Sequence, residues 1–292
     1  MTAVRRIGIS GAAGFIGSEL VAHFAAAGWE VRAYQRDPAP PAPPNVTRVA
    51  FRMPDLVRAE DFAGLDWLIH GAVQAYGPRD RDADRVNVDA ARRLIEIARA
   101  NNTRIVFLST LSAHKGARSH YGVTKLRMEP MFDPERDAVL RLGLVLGRTG
   151  GLFGSIVNTL RSAKVVPLPD GGRQPVQIIA MDELIEIIAH VVERGIAGRY
   201  EIAHPEVYRM RDLYDAILTR TGAKPMLVPV PLALIGAGVG MIETLGLPFP
   251  VTSENVLGLK HMHTFDTAPS LEALGARTSG LDAAVGRLLS GP

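Results

Sequence analysis

Cysteine is missing from all 292 residues. Its absence excludes disulfides, thiolate metal sites and cysteine nucleophiles. An excess of one charge is missing too: 33 basic against 30 acidic residues give a formal +3, and the basic ones are mostly scattered arginines. Nucleic-acid binders present a basic stripe or cluster, so no nucleic-acid partner is expected. No apolar run is long enough for an integral membrane span. Met226–Pro250 is the most apolar stretch, but Pro229, Pro231, Pro248 and Pro250 interrupt it. Its unbroken core, Leu232–Ile242, falls short of the roughly 20 residues a bilayer requires. It reads as a buried helix or one lining a pocket or interface, with peripheral membrane contact as the alternative. No repeat or low-complexity tail is visible. No leader-like run precedes the first strand, which gives the expectation of a cytoplasmic protein.

What is present describes an ordinary globular chain with a real core: 47% hydrophobic and 22% charged residues. Up to Gly147 the pattern alternates. Strands are expected at Ile7–Ser10, Glu30–Tyr34, Val46–Phe51, Asp66–His70, Arg104–Ser109 and Ala138–Leu142. Helices are expected at Phe15–Ala27, Asp82–Asn101 (Val86, Ala90, Leu94, Ile97 and Ala98 inward) and Tyr121–Phe132. Such alternation predicts an α/β fold, a doubly wound parallel sheet of Rossmann type, with ligand at the carboxyl ends of its strands. Residues 1–147 form this domain. Residues 148–292 read mainly as a smaller C-terminal substrate lobe, with some segments returning to the first domain. Its helices are expected at Phe153–Ala163, Met181–Arg194, Met210–Thr221 and Leu232–Leu245, and a strand at Arg199–Ala203.

The first strand turns through Gly11, Gly14 and Gly17 into a helix. A helix N-terminus bares backbone N–H groups, and glycine lets a phosphate approach them closely. The spacing G-x-x-G-x-x-G between strand and helix therefore predicts a pyrophosphate site. Tyr121 and Lys125, four apart in YGVTK, share one helix face. A neighbouring ammonium stabilises phenolate and lowers the tyrosine pKa from its usual value near 10, which suits proton transfer to a substrate oxygen. Ser109, Thr110 and Ser112, at the end of the fifth strand, offer hydroxyls that could hydrogen-bond that oxygen. His261 and His263 lack a third ligand at suitable spacing, so no metal is expected. His70 reads as structural, and Asp182 and Glu183 as complements to a helix dipole.

In these motifs the chain resembles the extended or atypical short-chain dehydrogenases/reductases of the NAD(P)-dependent epimerase/dehydratase kind. The resemblance rests on SGAAGFIG at Ser10–Gly17, Asp55-Leu56, DWLIHGAV at Asp66–Val73, Asn87, LSTLSA at Leu108–Ala113, YGVTK, RLGLVLG at Arg141–Gly147 and IIAMDELIEII at Ile178–Ile188. It implies that Gly11, Gly14 and Gly17 cradle the pyrophosphate, with amides from Phe15 and Ile16. It implies that Asp55 and Leu56 hold adenine, and that Ala72 and Val73 lie along the cofactor. Tyr121 becomes the general acid/base, Lys125 the ribose ligand that tunes it, and Leu144 a nicotinamide contact. NAD-preferring relatives carry an acidic residue after the second strand for the ribose 2′-hydroxyl. Here Gln35 and Arg36 stand there, and Arg36 suits a 2′-phosphate, so NADP is expected, with NAD possible.

Three departures separate the chain from the usual nucleotide-sugar epimerases. Ser10 replaces a threonine, Leu111 occupies the place of the family hydroxyl so that the resemblance leaves Thr110 or Ser112 to substitute, and Leu142-Gly143 stands where Pro-Gly is common. They point to an atypical reductase. The expected function is Tyr-assisted hydride transfer on an alcohol or carbonyl of a small-molecule substrate, by an oxidoreductase or epimerase that can form a homodimer. Phe153, Val165–Arg173 and Met226–Leu247 are expected to close over that substrate. The alternative is a non-catalytic NADP(H)-binding sensor or assembly protein.

Overall fold

The computed structural model describes residues 4–38, 41–74, 82–236, 238 and 253–290. Six strands of the first half build one sheet: β1 (Arg6–Ser10), β2 (Glu30–Gln35), β3 (Val46–Ala50), β4 (Trp67–His70), β5 (Arg104–Thr110) and β6 (Ala138–Leu142). A seventh, β11 (Gly198–Ile202), joins from the second half. The spatial order is β11-β6-β5-β4-β1-β2-β3, and every pair is parallel. Parallel strands covered on both faces need apolar residues in both directions. In β5, Ile105 and Phe107 pack on one face while Val106 and Leu108 pack on the other.

Helix α1 (Phe15–Ala26) buries Leu20 and Phe24 against the Val106 and Leu108 face. Each such side chain contributes about 2 kcal/mol by leaving water. Gly28, at φ +79°, stops the helix in the left-handed region. α2 (Ala83–Ala100) and α3 (His120–Met128) cover the other face. In α2 the buried stripe includes Asn87, Val88 and Ala91, whereas Val86, expected inward, is half-buried on the flank. The expected helix through Phe132 stops at Met128 and tightens into a 3-10 turn over Glu129–Met131. Pro130 lacks the N–H that a continuing α-helix would use.

The second half adds β7 (Leu144–Leu146), α4 (Gly151–Ser162), β8 (Val165–Pro169), β9 (Pro175–Val176), β10 (Ile178–Ala180) and α5 (Met181–Arg194). After β11 come β12 (Tyr208–Arg209), α6 (Met210–Thr221), β13 (Met226–Val230), α7 (Ser253–Lys260), α8 (Ala268–Ala273) and α9 (Leu281–Leu289). Six of these strands pair off as β10–β7, β12–β9 and β13–β8. They are too short for alternation to announce them. α4 starts two residues before the expected Phe153. A second core gathers Phe153, Leu160, Leu168, Ile178, Leu213, Ile217 and Val285. α5 instead packs Leu184 and Ile188 into the main core, so it belongs to the large sheet.

The helix expected at Leu232–Leu245 is present over residues 232–236 and 238, and its remainder lies outside the described residues. It is not wholly buried: Leu232 packs against Val256, but Leu234 is 64% exposed. Among the described residues no helix is long and apolar enough to cross a membrane.

Candidate active site

The sheet order reverses between β1 and β4, whose following segments run to opposite sides, and a crevice opens there at the strand ends. Gly11 turns the chain at φ +78°, with its N–H on the Tyr34 carbonyl at 3.1 Å. A methyl group at Gly17 would lie 2.1 Å from the Gly11 oxygen, and one at Gly11 would lie 2.9 Å from the Ala72 nitrogen. The glycines are therefore required by backbone packing as well as by ligand approach. α1 starts at Gly14 with no side-chain cap, which leaves the first-turn amides of Phe15, Ile16 and Gly17 for an anion. This cradle fits a dinucleotide pyrophosphate. The Phe15 ring has a second use. It fills a notch where methyl groups at Gly147, Gly150 or Gly151 would come within 2.6, 3.2 or 2.7 Å of it.

The loop after β4 is tied to this cradle. Ser10 Oγ lies 2.8 Å from His70 Nδ1 and accepts the Ala72 N–H at 3.3 Å. His70 is fully buried, stacks on Phe107, and its Nε2 has no hydrogen-bond partner among the described residues. Burial, reinforced by Lys125, takes its pKa down to about 3. It is neutral at physiological pH and works as a brace, not as an acid or base. Asn87 fastens the same loop: it receives the Gln74 N–H at 2.7 Å and donates to the Gln74 carbonyl at 3.1 Å. Val73 is exposed beside this loop.

At the end of β2, the Gln35 amide turns inward to the Asp37 carbonyl. Arg36 stays exposed and reaches Gln74 Oε1 at 3.4 Å, so it spans the crevice mouth from β2 to β4. Asp55 and Leu56 are exposed on the turn after β3, where Arg52 and Leu56 form a backbone bridge.

Across the crevice, α3 begins at Ser119, whose side chain accepts the Gly122 N–H. Tyr121 is half-buried on the first turn. One turn on, Lys125 is 4% exposed; its Nζ donates to the Leu108 carbonyl at 2.6 Å. The same nitrogen lies 4.4 Å from the Phe107 ring centre and 5.9 Å from that of Tyr121. Burial lowers the Lys125 pKa to about 7, against the opposing pull of Glu129. Glu129 is itself buried, held by Ser109 at 2.7 Å and by Arg141 at 2.6 Å.

The two candidate hydroxyls differ. Thr110 Oγ1 accepts the Ser112 N–H at 3.2 Å and so helps form the turn. The Ser112 hydroxyl makes no hydrogen bond among the described residues. A methyl group at Gly122 would lie 2.4 Å from the Ser112 carbonyl, so this turn rests on the Tyr121 helix.

Leu144 sits opposite, its N–H on the Gln177 carbonyl at 2.8 Å. Phe153, expected at the substrate, is fully buried in the second core; the α4 face that carries it turns inward with Ile156 and Leu160. Reasoning from sequence missed Gln177 and Phe265, and named His114, in the loop before Tyr121, only as a residue within reach of substrate. His114 lies 4.9 Å from the His263 ring, and Gln177 holds Phe265 by two hydrogen bonds. Gln177 had one visible signal: it is a polar residue inside the apolar run PVQIIAM. Among the described residues, no three His, Asp or Glu side chains cluster to hold a metal ion.

Comparisons with known proteins agree with this fold. The model of the NAD dependent epimerase/dehydratase family matches residues 7–203. A ceramide reductase from Caulobacter vibrioides is 28% identical over 239 residues, 77% of this chain and 73% of that protein. The human epimerase family protein SDR39U1, solved with NADPH, superposes with a TM-score of 0.77 at 18% identity, covering 98% of this chain and 100% of its own. MoeE5 with UDP-glucuronic acid and NAD gives 0.74 at 19% identity, covering 96% of each chain. The match spans the crevice from β1 to β11, and the chain belongs to the NAD dependent epimerase/dehydratase family.

Proposed function

We propose that this protein is an NADP(H)-preferring carbonyl reductase acting on an uncharged, apolar substrate. In this reading residues 1–147 hold the dinucleotide and residues 148–292 mainly enclose the substrate. The observation that carries it is the stack of Lys125 beneath Tyr121, with Lys125 Nζ on the Leu108 carbonyl and 5.9 Å from the tyrosine ring. A structural lysine has no need to be buried with a pKa near 7. The nicotinamide supplies the hydride. Tyr121 gives its phenolic proton to the substrate oxygen, and charged Lys125 stabilises the phenolate left behind. The Ser112 hydroxyl orients that oxygen. Gly11, Gly14 and Gly17 admit the pyrophosphate, with amides from Phe15 and Ile16. Asp55 and Leu56 border adenine, Ala72 and Val73 flank the dinucleotide, and Leu144 borders the nicotinamide. Arg36 pairs with the 2′-phosphate.

The ceramide reductase relative directs the first substrate trial to N-acylated amino ketones, the oxidised form of a ceramide-like lipid. The test is NADPH oxidation with such a ketone by wild type and Tyr121→Phe. Turnover should fall by about 100-fold or more, with NADPH affinity within about two-fold. Unchanged turnover would remove Tyr121 from the chemistry.

A further inference from the structure

The segment His261–Phe265 comes from the far end of the chain, yet it is fastened on both sides of the crevice. On the Leu144 side, the buried Gln177 side chain donates to the Phe265 carbonyl at 2.8 Å and accepts the Phe265 N–H at 2.9 Å. The Gln177 carbonyl takes the Leu144 N–H, so this fastening sits beside the expected nicotinamide contact. On the Tyr121 side, the fastening is His114. Its Nε2 lies 3.0 Å from the His261 carbonyl, and its Nδ1 accepts the Gly116 N–H at 3.1 Å. A carbonyl only accepts, so Nε2 carries the proton and Nδ1 the lone pair. Both nitrogens are occupied and the ring is neutral, which makes His114 a poor acid or base and a good latch. Its backbone N–H donates to the Ser112 carbonyl at 3.2 Å, in the turn that rests on Gly122 beside Tyr121. α7, which leads into the segment, also approaches the Ser119 cap of α3 at Gly258.

We propose that His261–Phe265 is a strap across the substrate end of the crevice, latched by His114 and Gln177, and that His263 and Phe265 are the specificity-determining residues that read an uncharged substrate. The rings support the second half of the statement. His114 and His263 stack at 4.9 Å, and Phe265 meets His263 edge-on at 5.9 Å. His263 is exposed and Phe265 is half-buried, so the ring wall faces open space. A wall of imidazole and phenyl faces suits an acyl chain or an amide plane, and the three rings bring no lysine or arginine for a diphosphate. His114 is a positioning residue, because it acts through the strap. The substrate part of the inference rests on the reductase reading; the latch does not.

Two measurements separate them. The first is amide hydrogen exchange of residues 261–265 in the full chain without substrate. His114→Phe keeps a ring and deletes both nitrogens; it should speed exchange at Phe265 at least ten-fold, and His114→Gln, which keeps a donor, should restore most of the protection. Unaltered exchange in His114→Phe overturns the latch. The second is kinetics with a short-chain N-acylated amino ketone and NADPH. Phe265→Ala and His263→Ala should each raise KM about ten-fold while kcat stays within three-fold and NADPH affinity is unchanged. An unchanged KM in both variants, or efficient turnover of UDP-glucose by wild type, overturns the specificity role. If wild type binds NADPH and turns over neither substrate, the reductase reading fails, and the exchange experiment still decides the latch.

Discussion

Between Arg6 and Leu142, six strands lie side by side in one sheet, and each is covered by helices that precede or follow it in sequence. Between Leu144 and Val230, six of the seven strands, two to five residues long, pair only two by two, β11 alone joining the large sheet, and single side chains do much of the joining. Asp170 accepts the Leu232 N–H at 2.9 Å, Glu183 the Ser279 N–H at 3.0 Å, and Tyr208 Oη the Leu281 N–H at 3.2 Å. The first arrangement makes a rigid shelf for a ligand shared by many relatives. The second holds backbone by a few polar contacts, each of which one substitution can change. A family that keeps its cofactor and varies its substrate is served by that division.

The largest effect should come from Gly17→Val. Its side chain would collide with the Gly11 carbonyl, which is backbone and cannot step aside. NADPH affinity, read by fluorescence titration, should fall at least about 100-fold, near 2.7 kcal/mol. Gly172→Ala tests the other region. Gly172 has φ +74°, and a methyl group there would lie 2.9 Å from the Arg211 nitrogen. It should cost about 2–4 kcal/mol in urea unfolding and leave NADPH affinity unchanged. A matching loss of affinity would show that the two regions are energetically one.

Lys125→Met sharpens the contrast from within the shelf. The folded pKa of about 7 lies below the ordinary 10.5. The unfolded chain therefore holds more protons between those values, and stability rises as pH climbs from 7 to 10.5. Methionine should stabilise the cofactor-free protein by about 1–3 kcal/mol at pH 7 and flatten that slope, while abolishing turnover. A variant that is less stable and still active would contradict the assigned role.

His70 gives a smaller signal in the opposite pH range. With a folded pKa near 3 against 6.5 when free, the unfolded chain takes the proton first. Stability should decline below pH 6.5 by up to about 1.4 kcal/mol per pH unit. His70→Asn should lose that increment when unfolding is followed from pH 7 to 4. Last, Arg36→Ala should weaken NADPH about ten-fold and NADH little, since the arginine is exposed. Equal weakening of both would remove its 2′-phosphate role.

Much of the shelf was legible because its signals are local. Glycines at three-residue spacing, a strand before and a helix after, identify the turn without knowledge of any distant residue. YGVTK places Tyr121 and Lys125 on one helix face by periodicity alone. The second half resisted for a physical reason. Phe153 looked like a pocket residue and is core, because the face an amphipathic helix buries depends on what packs against it. The proposed preference for Ser112 over Thr110 rests on one backbone hydrogen bond inside a tight turn, which no sequence pattern announces.

From its own pattern the sequence determined an α/β chain, a glycine turn between a strand and a helix, and a tyrosine–lysine pair on one helix face, since each depends on residues within one turn or one strand. Only the tertiary structure decided that His70 is a neutral brace, that Lys125 is buried, and that Gln177 and His114 hold a segment some 90 and 150 residues away, near His261–Phe265. Burial and long-range hydrogen bonding are set by neighbours in space, and no local pattern carries them.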